Sequence, residues 1–349
     1  METIERNAPR VRFGDGQIEM AHGAGGKASR RLVEGLFLPL LSNPILETLS
    51  DAAISNFNGS RIATTADGYV VKPLRFPGGS IGELAVNGTV NDLAVSGARP
   101  LGLMAAFILE AGLPGETLRA EVEAMAAAAA RAGVAIVGGD TKVVEHGMAD
   151  GMYVTTFGFG EVDARARLGP ARVREGDRVL LSGPIGDHGI TILLARGELD
   201  LEADLASDTR SVAPFVDALL DVAGDGLHWM RDPTRGGVAT ALNELVRATE
   251  LGVTLFEEAI PLRDEVRGAC EILGLDPLHI ANEGQLLAVV APDIADSALA
   301  AMQAVAGGGG AVCIGEVRSK PARAVLAVTS YGGSRIIDML VGDPLPRIC

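Results

Sequence analysis

The chain has 349 residues, of which 48% are hydrophobic and 21% are charged, and this composition is typical of a folded globular protein. Its formal net charge of −15 disfavours binding to the phosphate backbone of nucleic acid. The most apolar stretches are shorter than the roughly 20 residues that a membrane-spanning helix needs, and the polar N-terminus lacks a signal-peptide core. The sequence therefore predicts a cytoplasmic protein of two domains, with no nucleic-acid or membrane partner.

Cysteine and lysine are both rare in this chain. The only cysteines are Cys270, Cys313 and Cys349, and no pair has metal-ligand spacing. An odd, sparse set argues against a disulfide framework and fits a reducing compartment. Four lysines stand against 26 arginines, so Lys27 and Lys142, each of which follows a pair of glycines, are candidates for a specific role.

In the first half of the chain, apolar periodicity predicts alternating helices and strands. The predicted helices cover 27–41, 81–96 and 116–131, and the predicted strands cover 61–65, 69–71, 101–109, 134–137 and 152–159. The strand region is predicted to be interrupted at Asp67-Gly68, because this pair favours turns. The Arg-rich segment 163–176 carries no apolar period, so we place the domain boundary there.

The second half of the chain is predicted to form another α/β unit. Helices are predicted at 190–196, 213–222, 238–249 and 297–305, and strands at 178–182, 253–256, 285–290, 312–317 and 324–328. The ending VGDPLPRIC contains Pro344 and Pro346, which exclude helix and favour an extended, jointed arm. The predicted organisation is a first domain over 1–165, a second over 166–335 and a flexible arm over 336–349.

Acidic residues recur in the first half at predicted strand ends or in glycine turns. They are Asp51 in SDAA, Asp67 in TTADG, Asn91-Asp92 in VNDLAVSGA and Asp140 in GGDTK. Carboxylates in such places suit Mg²⁺, which takes oxygen ligands and is shared with nucleotide phosphates. The alternative is that each residue forms only a turn or a cap. Asn91 and Asp92 lie inside a helical pattern despite poor helix propensity, so a compensating interaction such as a metal-phosphate ligand is expected.

The sequence HGAGGK, residues 22–27, resembles a phosphate-binding loop. Its glycines let backbone N–H groups approach an anion, and its lysine adds a positive charge. It is not a Walker A motif, because the spacing G-x-x-x-x-G-K would require glycine where Ala21 stands. By itself the motif is a weak indication in a chain with 45 glycines.

The sequence RDPTRGG, residues 231–237, precedes a predicted helix. Thr234 is a candidate N-cap, and Arg231 and Arg235 are available for phosphate. The alternative is a capped helix start whose arginines are only solvated.

The final residue, Cys349, is the most distinctive feature. A cysteine at the end of a Pro-x-Pro arm is not placed for core packing, and prenylation would need three residues after it. A mobile terminal thiol is suited to carry a chemical group between sites, and its nucleophilic form is the thiolate. The alternative is an exposed thiol without a role. Cys270 and Cys313 lie among apolar residues and are predicted to be structural.

These motifs, in this order, resemble the HypE family of carbamoyl dehydratases, which serve hydrogenase maturation. Similarity to a wider superfamily, including aminoimidazole ribonucleotide synthetase, selenophosphate synthetase and thiamine monophosphate kinase, rests on SDAA, TTADG, VNDLAVSGA, GGDTK and RDPTRGG. HGAGGK, GGDTKVV and the ending PRIC are similar to the HypE family in particular. The resemblance spans nearly the whole chain.

The resemblance implies an α/β (α+β) fold of two mixed-sheet domains. The first domain would bind ATP and pair with its copy through a β-barrel-like interface, which makes a homodimer. Mg²⁺ would be held by Asp51, Asp67, Asp92 and Asp232. The implied ATP-binding residues are Gly25, Gly26, Lys27, Asp67, Asn91, Asp92, Asp140, Thr141, Arg231 and Arg235.

The resemblance also implies a reaction. A partner carbamoyltransferase would load Cys349, ATP would phosphorylate the carbamoyl oxygen, and loss of phosphate and protons would leave a thiocyanate. Glu283, in the sequence ANEG, would be the base, and Lys142 would stabilise developing charge or relay a proton. The alternative for Glu283 is a turn residue. The cyanide would pass to an iron-carrier scaffold complex that serves [NiFe]-hydrogenase.

Two other functions stay open at this point. One is a small-molecule kinase or synthetase of the same superfamily, which would be indifferent to Cys349. The sequence disfavours a selenophosphate synthetase, because the N-terminal glycine loop lacks a reactive cysteine. The other is a nucleotide-switched scaffold that docks partners through its tail without turnover.

Overall fold

The computed structural model describes residues 12–342, 345 and 347–349, except positions 198, 200 and 202. The predicted bends at Pro344 and Pro346 lie outside the described residues. The helices are α1 (Lys27–Leu32), α2 (Leu38–Leu41), α3 (Ile81–Val95), α4 (Gly115–Arg131), α5 (Asp187–Ala195), α6 (Ala213–Ala223), α7 (Gly237–Ala248), α8 (Asp264–Leu273) and α9 (Ala295–Ala304). A π-helical turn, Val33–Phe37, joins α1 to α2.

The strands form two large sheets and one short hairpin. They are β1 (Ala53–Phe57), β2 (Ser60–Tyr69), β3 (Arg75–Phe76), β4 (Gly79–Ser80), β5 (Ala98–Glu110), β6 (Ile136–Val144), β7 (Met152–Val162), β8 (Arg178–Leu181), β9 (Leu227–Arg231), β10 (Gly252–Phe256), β11 (Leu287–Val290), β12 (Val312–Arg318), β13 (Val325–Val328) and β14 (Ser334–Ile337). The first sheet has the order β1-β2-β7-β5-β6 and the second β14-β13-β10-β12-β8-β11-β9. Each sheet has one parallel pair, so the predicted class of two mixed-sheet units is confirmed.

Helix α3 is the centre of the first unit. It packs on the first sheet and against α4, and every residue in it except Glu83 and Asp92 is buried. A helix surrounded in this way is apolar on nearly all sides, which explains its run of small and aliphatic residues. At its start, the backbone N–H of Gly82 donates to a carboxylate oxygen of Glu121 at 3.1 Å, which suits the positive end of the helix dipole.

The opposite face of the first sheet is exposed and apolar. Leu103 and Ala105 point towards the helices and are buried, whereas Met104 and Ile108 alternate with them and are 44% and 40% exposed. Phe157, which pairs with Met104 across β7 and β5, is 40% exposed. This face therefore lacks cover from the described residues of the chain.

The second sheet has helices against it on both faces. One buried cluster includes residues of α6 and α9, and another includes residues of α7. Within the described residues, no helix is both long enough and apolar enough to cross a membrane.

Two local predictions about acidic motifs were wrong. Asp67-Gly68 does not interrupt a strand, because β2 continues through it and Asp67 pairs with Thr156 of β7. Asp140 does not lie in a glycine turn, because it is inside β6 and pairs with Ala106 of β5. In both cases the hydrogen-bond ladder of a neighbouring strand overrides the local turn preference.

The close approach of α3 and α4 generates a prediction. A β-carbon at Gly82 would collide with the backbone carbonyl of Glu121, whereas one at Gly115 would meet open space. We expect Gly82→Ala to lower the free energy of unfolding by about 1–3 kcal/mol, although alanine ordinarily favours helix over glycine. Gly115→Ala is the matched control and should be neutral or slightly stabilising. Urea denaturation measures both, and stabilisation by Gly82→Ala would contradict the close packing.

Candidate active site

Three carboxylates from distant parts of the chain meet at one point. Asp51 precedes β1, Asp92 lies in α3 and Asp232 directly follows β9. One carboxylate oxygen from each residue lies within 4.8 Å of the others. An all-oxygen set of this kind fits a hard divalent cation such as Mg²⁺. We call these three residues the acidic triad.

Burial and mutual repulsion make the triad hold protons. Burial raises the pKa of Asp51 to about 6, with the charge of Glu244 adding to the effect and Arg231 opposing it. Burial also raises the pKa of Asp232 to about 7, and the negative charge of Asp51 adds to it. The pKa of Asp92 lies well above its usual value, first because of burial and then because of the charges of Asp232 and Asp51. A bound cation would reverse this preference and favour the ionised forms.

Polar neighbours hold the triad in place. Arg231 forms ion pairs through Nε with Asp51 and through Nη2 with Glu244, each at 2.8 Å. Thr65 of β2 donates its hydroxyl to Asp92 at 2.8 Å. The guanidinium of Arg231, predicted to bind phosphate, is therefore engaged by two carboxylates in this structure.

Glu283 lies next to the triad in a second acidic group. Its side chain is buried, and Oε1 has no hydrogen-bond partner among the described residues. Burial raises its pKa well above the usual value, and the charges of Asp67, Asp232 and Asp208 add to this effect, while Arg235 opposes it. A buried carboxyl group with an unpaired oxygen can take up a proton from a bound substrate.

Asn91 has a different environment from the one that the sequence indicated. Its side-chain amide donates to the carbonyls of Arg210 and Glu283 at 3.0 and 3.4 Å, and its Oδ1 accepts from the N–H of Val212 at 2.8 Å. These hydrogen bonds to the backbone, rather than a metal-phosphate ligand, compensate for the poor helix propensity of Asn91. Asn91 ties α3 to the segment that carries Glu283.

The C-terminal residue and Glu283 both act on Arg235. The carbonyl of Cys349 accepts a hydrogen bond from the N–H of Val70, which follows β2, at 2.9 Å. The negative charge of Cys349 is the main cause that raises the pKa of Arg235, and the charges of Asp67 and Glu283 also act on this arginine. The described end of the predicted arm is therefore docked in this structure.

The glycine loop contacts the base of the C-terminal tail. Lys27 pairs with Asp338 at 2.5 Å, and its backbone N–H donates to the carbonyl of Leu340 at 2.8 Å. A β-carbon at Gly26 would collide with that carbonyl, and one at Gly25, where φ is +75°, would lie 2.8 Å from the carbonyl oxygen of Arg235. Glycine is needed here for close backbone approach.

The remaining predicted site residues lie elsewhere. Asp140, Thr141 and Lys142 are exposed on β6, and Asp140 pairs with Lys142 at 2.7 Å. Asp140 and Lys142 pair with Ala106 and Ile108 of β5, on the sheet face opposite α3. Within one chain they are not brought together with the acidic triad.

Two residues that contribute to the site were not predicted from the sequence. Asp208 accepts the backbone N–H of Glu283 at 3.0 Å, and His188 contacts the backbone of the tail at Ile348, 2.7 Å away. The sequence GDHG could have indicated that His188 lies in the first turn of a helix. The helix was instead predicted to begin at Ile190, three residues after its observed start at Asp187.

The fold and the triad define a class of protein. The AIR synthase related protein family matches in both parts, the N-terminal domain over residues 49–162 and the C-terminal domain over residues 174–326. Within that class, the chain belongs to the HypE family of carbamoyl dehydratases. It is 48% identical over 335 residues to the carbamoyl dehydratase HypE of Bradyrhizobium diazoefficiens, which covers 96% of this chain and 97% of that protein.

Solved structures give the same result. A hydrogenase maturation protein HypE in complex with ATP is 44% identical, with a TM-score of 0.80 over 95% of this chain and 100% of that one. The HypE chain of a HypE–HypF complex is 43% identical, with a TM-score of 0.84 over 88% and 99%. The sequence-based resemblance to the HypE family is thus confirmed.

The raised pKa of Asp232 generates a second prediction. The folded protein favours the neutral form of the Asp232 carboxyl group. The stabilisation that this group contributes is therefore complete below about pH 4 and is lost as the pH rises through about 7. Without divalent cations, we expect the wild-type free energy of unfolding to fall more between pH 5 and 8 than that of Asp232→Asn. The difference should be of the order of 1–3 kcal/mol.

Added Mg²⁺ should recover the lost stability of the wild type at pH 8 and have little effect on Asp232→Asn. Asp225→Asn is the control, because the Asp225 side chain is 72% exposed. Equal pH profiles for wild type and Asp232→Asn, measured by urea denaturation, would contradict the crowding of the triad.

Proposed function

We propose that this chain dehydrates a carbamoyl group carried on the thiol of its own Cys349 to a thiocyanate, with ATP as the phosphoryl donor. The observation that carries this proposal is the docking of Cys349 on the residue after β2, within the electrostatic range of Arg235, on which Glu283 and Asp67 also act. Val70 binds the carbonyl of Cys349, and Arg235 lies within the fields of Cys349 and Glu283. A carrier thiol that reacts in its own chain needs such a position.

In the proposed reaction, the γ-phosphoryl group of ATP moves to the carbamoyl oxygen. The C–O bond then breaks as phosphate leaves, and the nitrogen loses its two protons. The products are the S–C≡N group, ADP and phosphate. Mg²⁺ bound by Asp51, Asp92 and Asp232, with Asp67 close by, would neutralise charge on the phosphoryl oxygens.

Glu283 is the proposed base. Its buried Oε1 lacks a partner among the described residues, and its raised pKa gives it a higher affinity for a proton than an ordinary glutamate has. Arg235 opposes that rise and so favours the ionised form in which Glu283 accepts a proton. Asp208 and Asn91 hold the backbone of Glu283 and thereby fix its position.

A homodimer is the second part of the proposal. The apolar face that bears Met104, Ile108 and Phe157 is exposed, and Asp140 and Lys142 share it. Pairing two copies through this face would cover the apolar side chains. Lys142 would then act on the substrate bound by the other copy, with Asp140 and Thr141 assisting at the nucleotide.

The proposal implies two partner proteins. The structure of a relative in a HypE–HypF complex supports a carbamoyltransferase as the protein that loads Cys349. An iron-carrier scaffold complex would accept the cyanide for [NiFe]-hydrogenase. The reducing cytoplasm is the compartment in which a free terminal thiol persists.

The first test is intact-protein mass spectrometry. After loading by the carbamoyltransferase, the wild type should gain one carbamoyl mass at Cys349 and lose one water only when Mg-ATP is added. Glu283→Gln should load normally but dehydrate at least 100-fold more slowly, because one positioned base contributes about 10²–10⁴-fold.

Cys349→Ser should fold and bind ATP but not load. Asp204→Asn, at an exposed position, is the control and should behave as the wild type. Loading without water loss in the wild type would leave only a carrier or scaffold role. ATP turnover on a small molecule without loading would indicate a kinase.

Mixed dimers test the contribution of Lys142. Lys142→Met and Glu283→Gln proteins should each be nearly inactive. In a mixed dimer, one site would carry both defects and the other neither, so activity should return to about half of the wild-type value per mixed dimer. Lack of recovery, with mixing verified by native mass spectrometry, would contradict action of Lys142 across the interface.

A further inference from the structure

The last three residues are held through their backbone. The carbonyl of Arg347 accepts a hydrogen bond from Nη2 of Arg196 at 2.9 Å, and the carbonyl of Cys349 accepts one from the N–H of Val70 at 2.9 Å. Between them, the carbonyl of Ile348 lies 2.7 Å from Nε2 of His188. Three consecutive carbonyls are thus bound by three different parts of the chain.

The chemistry of the partners fixes the state of His188. A carbonyl only accepts, so Nε2 carries the proton and donates to Ile348. Nδ1 then accepts from the hydroxyl of Ser207 at 2.8 Å, and Ser207 in turn accepts from the N–H of Thr209 at 3.2 Å. The ring is fully buried and packs edge-on against Phe76 with centroids 5.7 Å apart. Burial lowers the pKa of His188 to about 4, so the ring is neutral.

The apolar side chains of the tail fill space next to this histidine. Leu345 and Ile348 are 3% and 5% exposed and belong to the same buried cluster as Ile280. Gly189, the residue after His188, leaves room for them, since a β-carbon there would lie 3.1 Å from Leu345 and would collide more severely with Ile280. The start of α5 is therefore shaped to receive the tail.

We propose that His188, Arg196 and the backbone N–H of Val70 form a clamp that sets the register of the tail and so positions the thiol of Cys349 in the active site. The inference rests on the proposed function, which gives Cys349 its carrier role. Because the clamp binds only backbone oxygens, it holds the tail equally whether the thiol is unmodified, carbamoylated or cyanated. His188 is a positioning residue and does not touch the reacting atoms.

The test is the rate at which iodoacetamide alkylates Cys349, followed by peptide mass spectrometry on the full chain without ATP or partner. His188→Phe keeps a ring but removes the donor, and we expect Cys349 to be alkylated roughly 5–20-fold faster, as loss of one hydrogen bond implies. His188→Gln restores a donor and should return the rate towards the wild-type value. Buried Cys270 is the internal control for unfolding.

A second variant covers the case in which His188→Phe does not fold. Arg196→Met removes the donor to Arg347 and should also expose Cys349. Arg174→Met is the matched control, because Arg174 likewise donates to backbone carbonyls, at 2.6 and 2.9 Å, but does so at Ala171 and Val173. Both clamp variants should slow single-turnover dehydration without slowing loading.

Unchanged alkylation of Cys349 in both clamp variants would overturn the proposal, as would an equal increase at Cys270. Since alkylation needs neither ATP nor a partner, it reports on the clamp even if the chain does not dehydrate a carbamoyl group. Failure of dehydration in the wild type would overturn the proposed function instead.

Discussion

The site depends on keeping three carboxylates together against their mutual repulsion. At separations up to 4.8 Å and an effective dielectric constant near 20, each ionised pair costs about 3 kcal/mol or more. Arg231 offsets part of this at Asp51, and the hydroxyl of Thr65 does so at Asp92. Burial and the remaining repulsion together raise the pKa values of the triad, so proton uptake relieves the rest.

Helix α3 supplies the rigidity that such an arrangement requires. Asp92 of this helix belongs to the triad, and Asn91, the residue before it, binds the segment that carries Glu283. Because nearly all of its surface is buried, the helix cannot shift to relieve the repulsion. Its tight contact with α4 at Gly82 sets its position, so packing far from the chemistry fixes the distance between the metal-binding and proton-accepting groups.

Much of the fold could be predicted from apolar periodicity, because α4, α6, α7 and most central strands are buried in a regular pattern. Helix α3, which is buried on nearly all sides, was predicted from its run of small residues instead. Edge strands β1 and β14 were missed, since exposed edges lack alternation, and β9 and α8 were also missed. Helix α7 begins at Gly237 with Gly236 as its N-cap, rather than with Thr234, because Gly236 adopts a left-handed φ of 77°. The resemblance placed Asp51, Asp92 and Asp232 in one ligand set with Asp67, which is not one of the three clustered carboxylates. Thr65 lies in the motif TTADG but was not predicted to contact Asp92, and Glu244 carries no local signature.

The docking of the tail could not be predicted, for a physical reason. Backbone carbonyls accept hydrogen bonds whatever side chains they carry, so no residue type in the tail marks the contact. The prolines predict an extended segment, but they say nothing about where such a segment rests, and both lie outside the described residues. Among the described residues of the tail, the buried side chains of Leu345 and Ile348 record the docking in the sequence, and both are common residues.

A tail that is held through backbone oxygens by Val70, His188 and Arg196 tolerates many changes of side chain but not a change of spacing. Insertion or deletion of one residue between Leu345 and Cys349 would move the thiol along the tail by about 3.3 Å and break the match between each donor and its acceptor. Natural variation in this segment should therefore appear as substitution rather than as a change of length.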